Sequence, residues 1–197
     1  MPTSGRFRQL DNRLAELRRH LLPLRFSPIG QYSDRDHDLA RAYLVLVHAE
    51  IEAYCEDRGR KVARRAHELW QRKGRRTATL MKILKFHHVT QRKPWALLDR
   101  SSNKIEAAVN SYMTSIDQNH GIREENLCKI LFPIGIEPST LDSVWVTTMD
   151  SFGQFRGTVA HTSVKTQQLV DPQTEFLRVT TQILPGLKKL DRKINRL

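Results

Sequence analysis

Cysteine is scarce in this chain. Cys55 and Cys128 are the only two in 197 residues, each within an apolar periodic segment and neither in a CxxC or Cys/His ligand spacing, which argues against a disulfide scaffold or a zinc ribbon. No window holds 18 apolar residues, and the charged N-terminal stretch MPTSGRFRQLDNRLAELRRHLLPL lacks the apolar core of a secretory signal. No membrane span is expected, and the expected location is a reducing cytoplasm. With 9 Gly and 8 Pro against 39% hydrophobic residues, neither a collagen-like nor a disordered composition fits. The motifs GxxxxGK[ST], GxGxxG and GxSxG are absent, so a phosphate-cradling loop or a serine elbow has no support. Acid is the minority charge: 33 Lys and Arg, 22 of them Arg, stand against 21 Asp and Glu, for a net +12. Such an excess predicts an anionic partner.

What is present is helical periodicity. Leu10, Leu14, Leu17 and Leu21 recur at helical spacing and predict a first helix from Arg6 to Leu22, followed by a Pro- and Gly-containing linker through Ser33. Ser33, with Asp34, Asp36 and Asp38 behind it, reads as the N-cap of a long second helix ending near Lys73 and Gly74. Its centre, Ala42 to Ile51, is apolar on nearly every side. Length and flanking periodicity favour a buried central helix over a strand. Further helices are expected over Thr77–His88, stopped by Pro94; from Ser101 or Ser102 to near Asn119; and over Glu124–Leu131. Two more are expected from Ser139 and from Pro172, the last kinked at Pro185–Gly186. The fold class is all-α, a helical bundle with one long central helix and a kinked C-terminal helix. Residues 1–33 read as an N-terminal helix and linker, and residues 34–197 as the helical domain.

Eight histidines offer chances for chemistry, yet none forms HExxH or a carboxylate-supported helical pair, so no metal site and no cofactor are expected. One constellation remains, SFGQFRGTVAHTS, in which four residues separate Arg156 from His161. Four Arg/His pairs in the chain have four to six residues between them, and chance alone supplies roughly three in a chain this rich in Arg. Context therefore has to select among them. Arg156/His161 follows an amphipathic helix and precedes a helix opened by Asp171-Pro172. The long helix LARAYLVLVHAEIEAYCEDRGRKV carries a central His48 and spaced acids, Glu52 and Glu56.

Together these features resemble the HEPN superfamily, and within it the RiboL-PSP type, over roughly Leu39 to Asp191. The resemblance implies an HEPN-like bundle and an endoribonuclease of toxin or phage-defence kind. It also implies a homodimer in which the Arg156 and His161 of both protomers line one composite cleft. An Arg can hold the scissile phosphate in two-point fashion, while a His, with an ordinary pKa near ~6.5, can shuttle the proton of a ribose 2′-OH. That chemistry cuts RNA, spares DNA and needs no metal. Much of the superfamily has a polar residue, often Asn, directly after the Arg. Here Gly157 stands there and supplies no side-chain hydrogen bond. Gly153 and Gly157, with Ala160, would instead let a second backbone approach closely.

His48, Glu52 and Glu56 are possible accessories to the site, although a satisfied core histidine and Glu–Arg pairs such as Glu56 with Arg60 would look the same in sequence. Nine cations, Arg58, Arg60, Lys61, Arg64, Arg65, Arg72, Lys73, Arg75 and Arg76, stand against the single acid Glu68 between residues 58 and 76. They form a candidate RNA-binding stripe, or else a solvated helix face. RNA is thus the expected partner, with a cognate antitoxin or defence-system protein possible beside it. Two other classes compete: a catalytically silent HEPN module acting as a dimerising scaffold or RNA-binding partner, and a basic helical DNA-binding protein. No helix-turn-helix signature supports the last.

Overall fold

A computed structural model of the chain describes residues 2–87, 101–161 and 169–197, with the side chains of residues 101–103, 160 and 161 excepted. The elements are α1 (Gly5–Leu21), α2 (Asp34–Lys73), α3 (Ala78–Phe86), α4 (Ser101–Asp117), α5 (Glu124–Leu131), α6 (Ser143–His161), α7 (Pro172–Leu177) and α8 (Leu184–Ile194). A π-helical segment, Arg178–Ile183, joins α7 to α8. No strand occurs among the described residues, and the all-α class expected from the periodicity is borne out. Pro94 and Trp95 lie outside the described residues.

Helix α2 is the axis of the molecule. Its 40 residues span about 60 Å at 1.5 Å per residue. It starts with a reciprocal capping box: Ser33 Oγ accepts the Asp36 amide at 3.2 Å, while Asp36 Oδ2 accepts the Ser33 amide at 3.1 Å. It stops at Gly74, whose φ of 61° is the left-handed conformation that lets its N–H return to the Trp70 carbonyl at 2.8 Å. Along it Tyr43, Leu44, Val47, Ile51, Tyr54 and Cys55 are buried among residues of every other helix. The run LVLV is thus helix, as its length suggested.

Helix α1 belongs to the same core, through Phe7, Leu10, Leu14 and Leu17 packed along α2. It is also tied to the far end of the chain. Asp191 of α8, fully buried, accepts the Ser4 amide and hydroxyl, both at 2.7 Å, and the Tyr54 hydroxyl at 2.9 Å. On the opposite flank α4 and α5 approach α2 at Gly59, where a Cβ would sit 2.8 Å from Tyr112 Oη and 2.9 Å from Ile130 Cγ2. Only a residue without a side chain fits there.

Two boundaries differ from expectation for physical reasons. Helix α6 does not begin at Ser139: Pro138–Thr140 closes as a single 3₁₀ turn, Leu141 is extended, and Asp142 caps the helix through the Trp145 amide at 3.2 Å. The irregularity expected at Pro185–Gly186 is taken up by the turns before it. Pro185 lacks an amide hydrogen and its ring crowds the carbonyl four residues back, and just upstream the Leu184 amide reaches five residues, to Val179.

Candidate active site

The seam between α2 and α6 carries the candidate site. Phe152 and Arg156 stand four residues apart and so share one face of α6. That face turns towards α2, where the ring of Phe152 stacks on the imidazole of His48 with centroids 6.2 Å apart. His48 is 1% exposed. Burial first, and then the nearby charge of Arg156, lower its pKa to about 4, so it is neutral at neutral pH.

Glu52 lies one turn along α2, its Oε2 3.6 Å from His48 Nδ1. That separation would count as an ion pair only with a charged imidazole. The neutral form set by burial makes it a dipole beside a carboxylate, and the distance is too long for a hydrogen bond. Glu52 instead accepts the amide of Gly121, which fixes the α4–α5 connection to α2. Two buried polar atoms are left over at this seam: His48 Nδ1 and Arg156 Nε have no hydrogen-bond partner among the described residues. A buried donor or acceptor in this condition costs about 1–3 kcal/mol, and such orphans need an explanation.

The remaining candidates divide. His161 is the last residue of α6. Ideal helical geometry sets it about 7.5 Å along the axis and roughly 140° around from Arg156. Its side chain lies outside the described residues. Glu56 stays apart from His48: burial raises its pKa, and it pairs with Arg60 at 3.1 Å, which in turn reaches Asp117 at 2.9 Å. Gly153 makes room within its own chain, since a Cβ there would meet Arg123 Cγ at 2.9 Å, whereas a Cβ on Gly157 would meet nothing within 4 Å.

The cationic stripe also divides. Lys61, Arg64, Arg65, Arg72, Lys73, Arg75 and Arg76 are exposed. Arg58 departs from the expected exposed row: it is 4% exposed, paired to Asp191 at 3.2 Å and bonded to Asn195 at 2.6 Å. Arg60 is spent on three carboxylates, those of Glu56, Asp57 and Asp117.

Phe152 was not singled out by its sequence as part of the site. Its spacing of four from Arg156 is the signal that places both on one helix face. Nearby, Arg178 of the π segment lies over the ring of Phe155, its guanidinium carbon 5.6 Å from the centroid, next in sequence to Arg156.

A helical bundle built on a long buried second helix is consistent with an HEPN-like fold, and in it Arg156 of α6 lies near the buried His48 of that helix. The model of the RiboL-PSP-HEPN family matches residues 8–182, and the chain belongs to that family. The match begins inside α1, earlier than the Leu39 suggested by sequence, in keeping with the packing of α1 into the common core. No curated protein and no solved structure matches the chain. The superfamily includes ribonucleases, and its domains often dimerise and bind RNA.

Proposed function

We propose that the protein is an endoribonuclease of toxin or phage-defence type, acting in the cytoplasm as a homodimer whose two protomers contribute Arg156 and His161 to one composite cleft. The observation that carries this reading is the orphaned pair at the α2–α6 seam. Arg156 Nε and His48 Nδ1 are held buried without partners, as groups kept for a ligand would be.

In this reading the Arg156 guanidinium holds the scissile phosphate and stabilises the charge that builds on its oxygens. His161 takes the proton of the ribose 2′-OH as that oxygen bonds to phosphorus. The bond from phosphorus to the 5′-oxygen breaks, the imidazolium so formed gives its proton to the leaving oxygen, and a 2′,3′-cyclic phosphate remains. The nucleophile is internal to the substrate, so proton transfer and charge stabilisation by these side chains suffice without a metal ion. Neutral His48 adds a polar contact without a competing charge, and Glu52 holds the loop at Gly121 in place. The exposed cations Lys61 to Arg76 attract the RNA backbone. A cognate antitoxin or defence-system protein would keep such an activity in check.

The test is incubation of the purified protein with total RNA in EDTA, comparing wild type with Arg156→Ala and His161→Ala. Cleavage that leaves 2′,3′-cyclic phosphate ends and falls by ~10²–10⁴ in both variants is expected. Cleavage unchanged in both would overturn the assignment of these residues. RNA binding and dimerisation without cleavage would make the protein a silent scaffold.

A further inference from the structure

About 20 Å along α2 from His48, thirteen residues on at 1.5 Å each, lies a cavity with a different chemistry. Its volume is about 270 Å³, and it is walled by the start of α1, the second half of α2, the start of α3 and the end of α8. Three cationic side chains of α2 line it: Arg58, Lys61 and Arg65. Arg58 forms the floor, 4% exposed, its charge matched by Asp191 and one of its terminal nitrogens bonded to Asn195. Its buried Nε makes no hydrogen bond of acceptable geometry. Lys61 and Arg65, four residues apart and so on one face of the helix, stand exposed at the rim with no ion pair among the described residues. Two cations without an ion pair therefore stand on the cavity wall, which Leu197 also lines. Thr77 lines the opposite wall as the N-cap of α3, which brings the positive end of that helix to the same space.

We infer that this cavity binds a phosphate monoester, the 5′-phosphate of a nucleotide, separately from the α2–α6 seam. Charge favours the monoester: near neutral pH it carries about −1.5 to −2 and is drawn to a cationic wall more strongly than an internal diester, which carries one negative charge. Size and shape agree. A space just below the ~300–1,000 Å³ usual for ligand sites, walled by four elements, takes the end of a chain or a single nucleotide rather than a strand passing through. The site stands whether or not Arg156 and His161 cut RNA.

The test uses the full chain and a short single-stranded DNA oligonucleotide, which has no 2′-OH to attack, so that binding is read apart from cleavage. Affinity is measured by anisotropy for the 5′-phosphorylated and 5′-hydroxyl forms, with adenosine 5′-monophosphate and inorganic phosphate as competitors. The phosphorylated form is expected to bind at least tenfold more tightly. The double variant Lys61→Ala/Arg65→Ala should abolish that preference, whereas Arg72→Ala/Lys73→Ala, which removes the same charge outside the cavity, should keep it. Both pairs are exposed, so both variants fold. Displacement by adenosine 5′-monophosphate would make free nucleotides ligands as well. Its failure, with the end preference intact, would restrict the site to chain ends. Equal affinity for the two oligonucleotide ends would overturn the inference, as would a preference that survives Lys61→Ala/Arg65→Ala or is lost equally in the Arg72/Lys73 variant.

Discussion

His48 shows how much one residue's surroundings decide its role. Its imidazole is held neutral, with a pKa of about 4 against an ordinary ~6.5, mainly because burial disfavours the charged form. The unfolded chain binds a proton at this position as pH falls through ~6.5, but the folded chain does so only near 4. Stability is therefore lost progressively across that window on acidification, by a total on the order of 3 kcal/mol, and the loss levels off below it. His48→Gln removes the titration while keeping a polar side chain. Urea denaturation at pH 7 and pH 4.5 should show wild type losing about 2–3 kcal/mol more than the variant between the two. Equal losses would mean that His48 is not held neutral by its burial. Its carboxylate neighbour does not reverse the sign, because Glu52 is committed to the Gly121 amide and lies beyond bonding distance of Nδ1.

The elements were legible where local chemistry sets them, and hidden where a partner does. Ser33 with Asp36, Gly74, and Pro172 behind its Asp171 cap mark helix ends in one dimension, and the structure places boundaries there. Ser139 has the better cap sequence, yet Pro138–Thr140 closes on itself and leaves the cap to the later acid, Asp142. The burial of Arg58 could not be read from its charge run, since its reason, Asp191, is 133 residues away. Arg156 was legible as a candidate, while its setting against His48 depended on how α6 packs on α2. The π segment is a similar case. Proline predicts a disturbance, but what holds its shape is Trp145, whose Nε1 donates to the Ile183 carbonyl at 3.0 Å while its ring lies against Gly186. A Cβ at Gly186 would fall 2.0 Å from Trp145 Cδ1, an overlap that neither group can relieve without moving a helix. Gly186→Ala, although it favours helix by about 1 kcal/mol in isolation, should destabilise the protein by about 2–3 kcal/mol or more in chemical denaturation. A neutral or stabilising effect would show that the indole does not hold α8 at this point.

At the scale of the molecule the positive charge is not spread evenly, and its placement has a measurable consequence. Arg6, Arg13, Arg41, Arg58, Arg60, Arg123 and Arg178 are tied to carboxylates. Lys61, Arg64, Arg65, Arg72, Lys73, Arg75 and Arg76 make no ion pair among the described residues and are exposed on the second half of α2 and the turn after it. Most of the first group ties one helix to another, Arg41 and Arg178 being paired three residues back along their own stretch of helix, and the second group can exchange condensed counterions for phosphates. Each phosphate contact to a single strand contributes about 0.7 to the slope of log K against log salt. Replacing Arg72, Lys73, Arg75 and Arg76 by Ala should lower that slope by about 2 to 3 for a single-stranded RNA held uncut by His161→Ala, with no loss of thermal stability. The comparison must be made at several salt concentrations, because a single affinity cannot separate lost contacts from weakened ones. If the slope stays at its original value while affinity falls, those four side chains do not touch phosphate, and the RNA path lies nearer Lys61 and Arg65 or on another face.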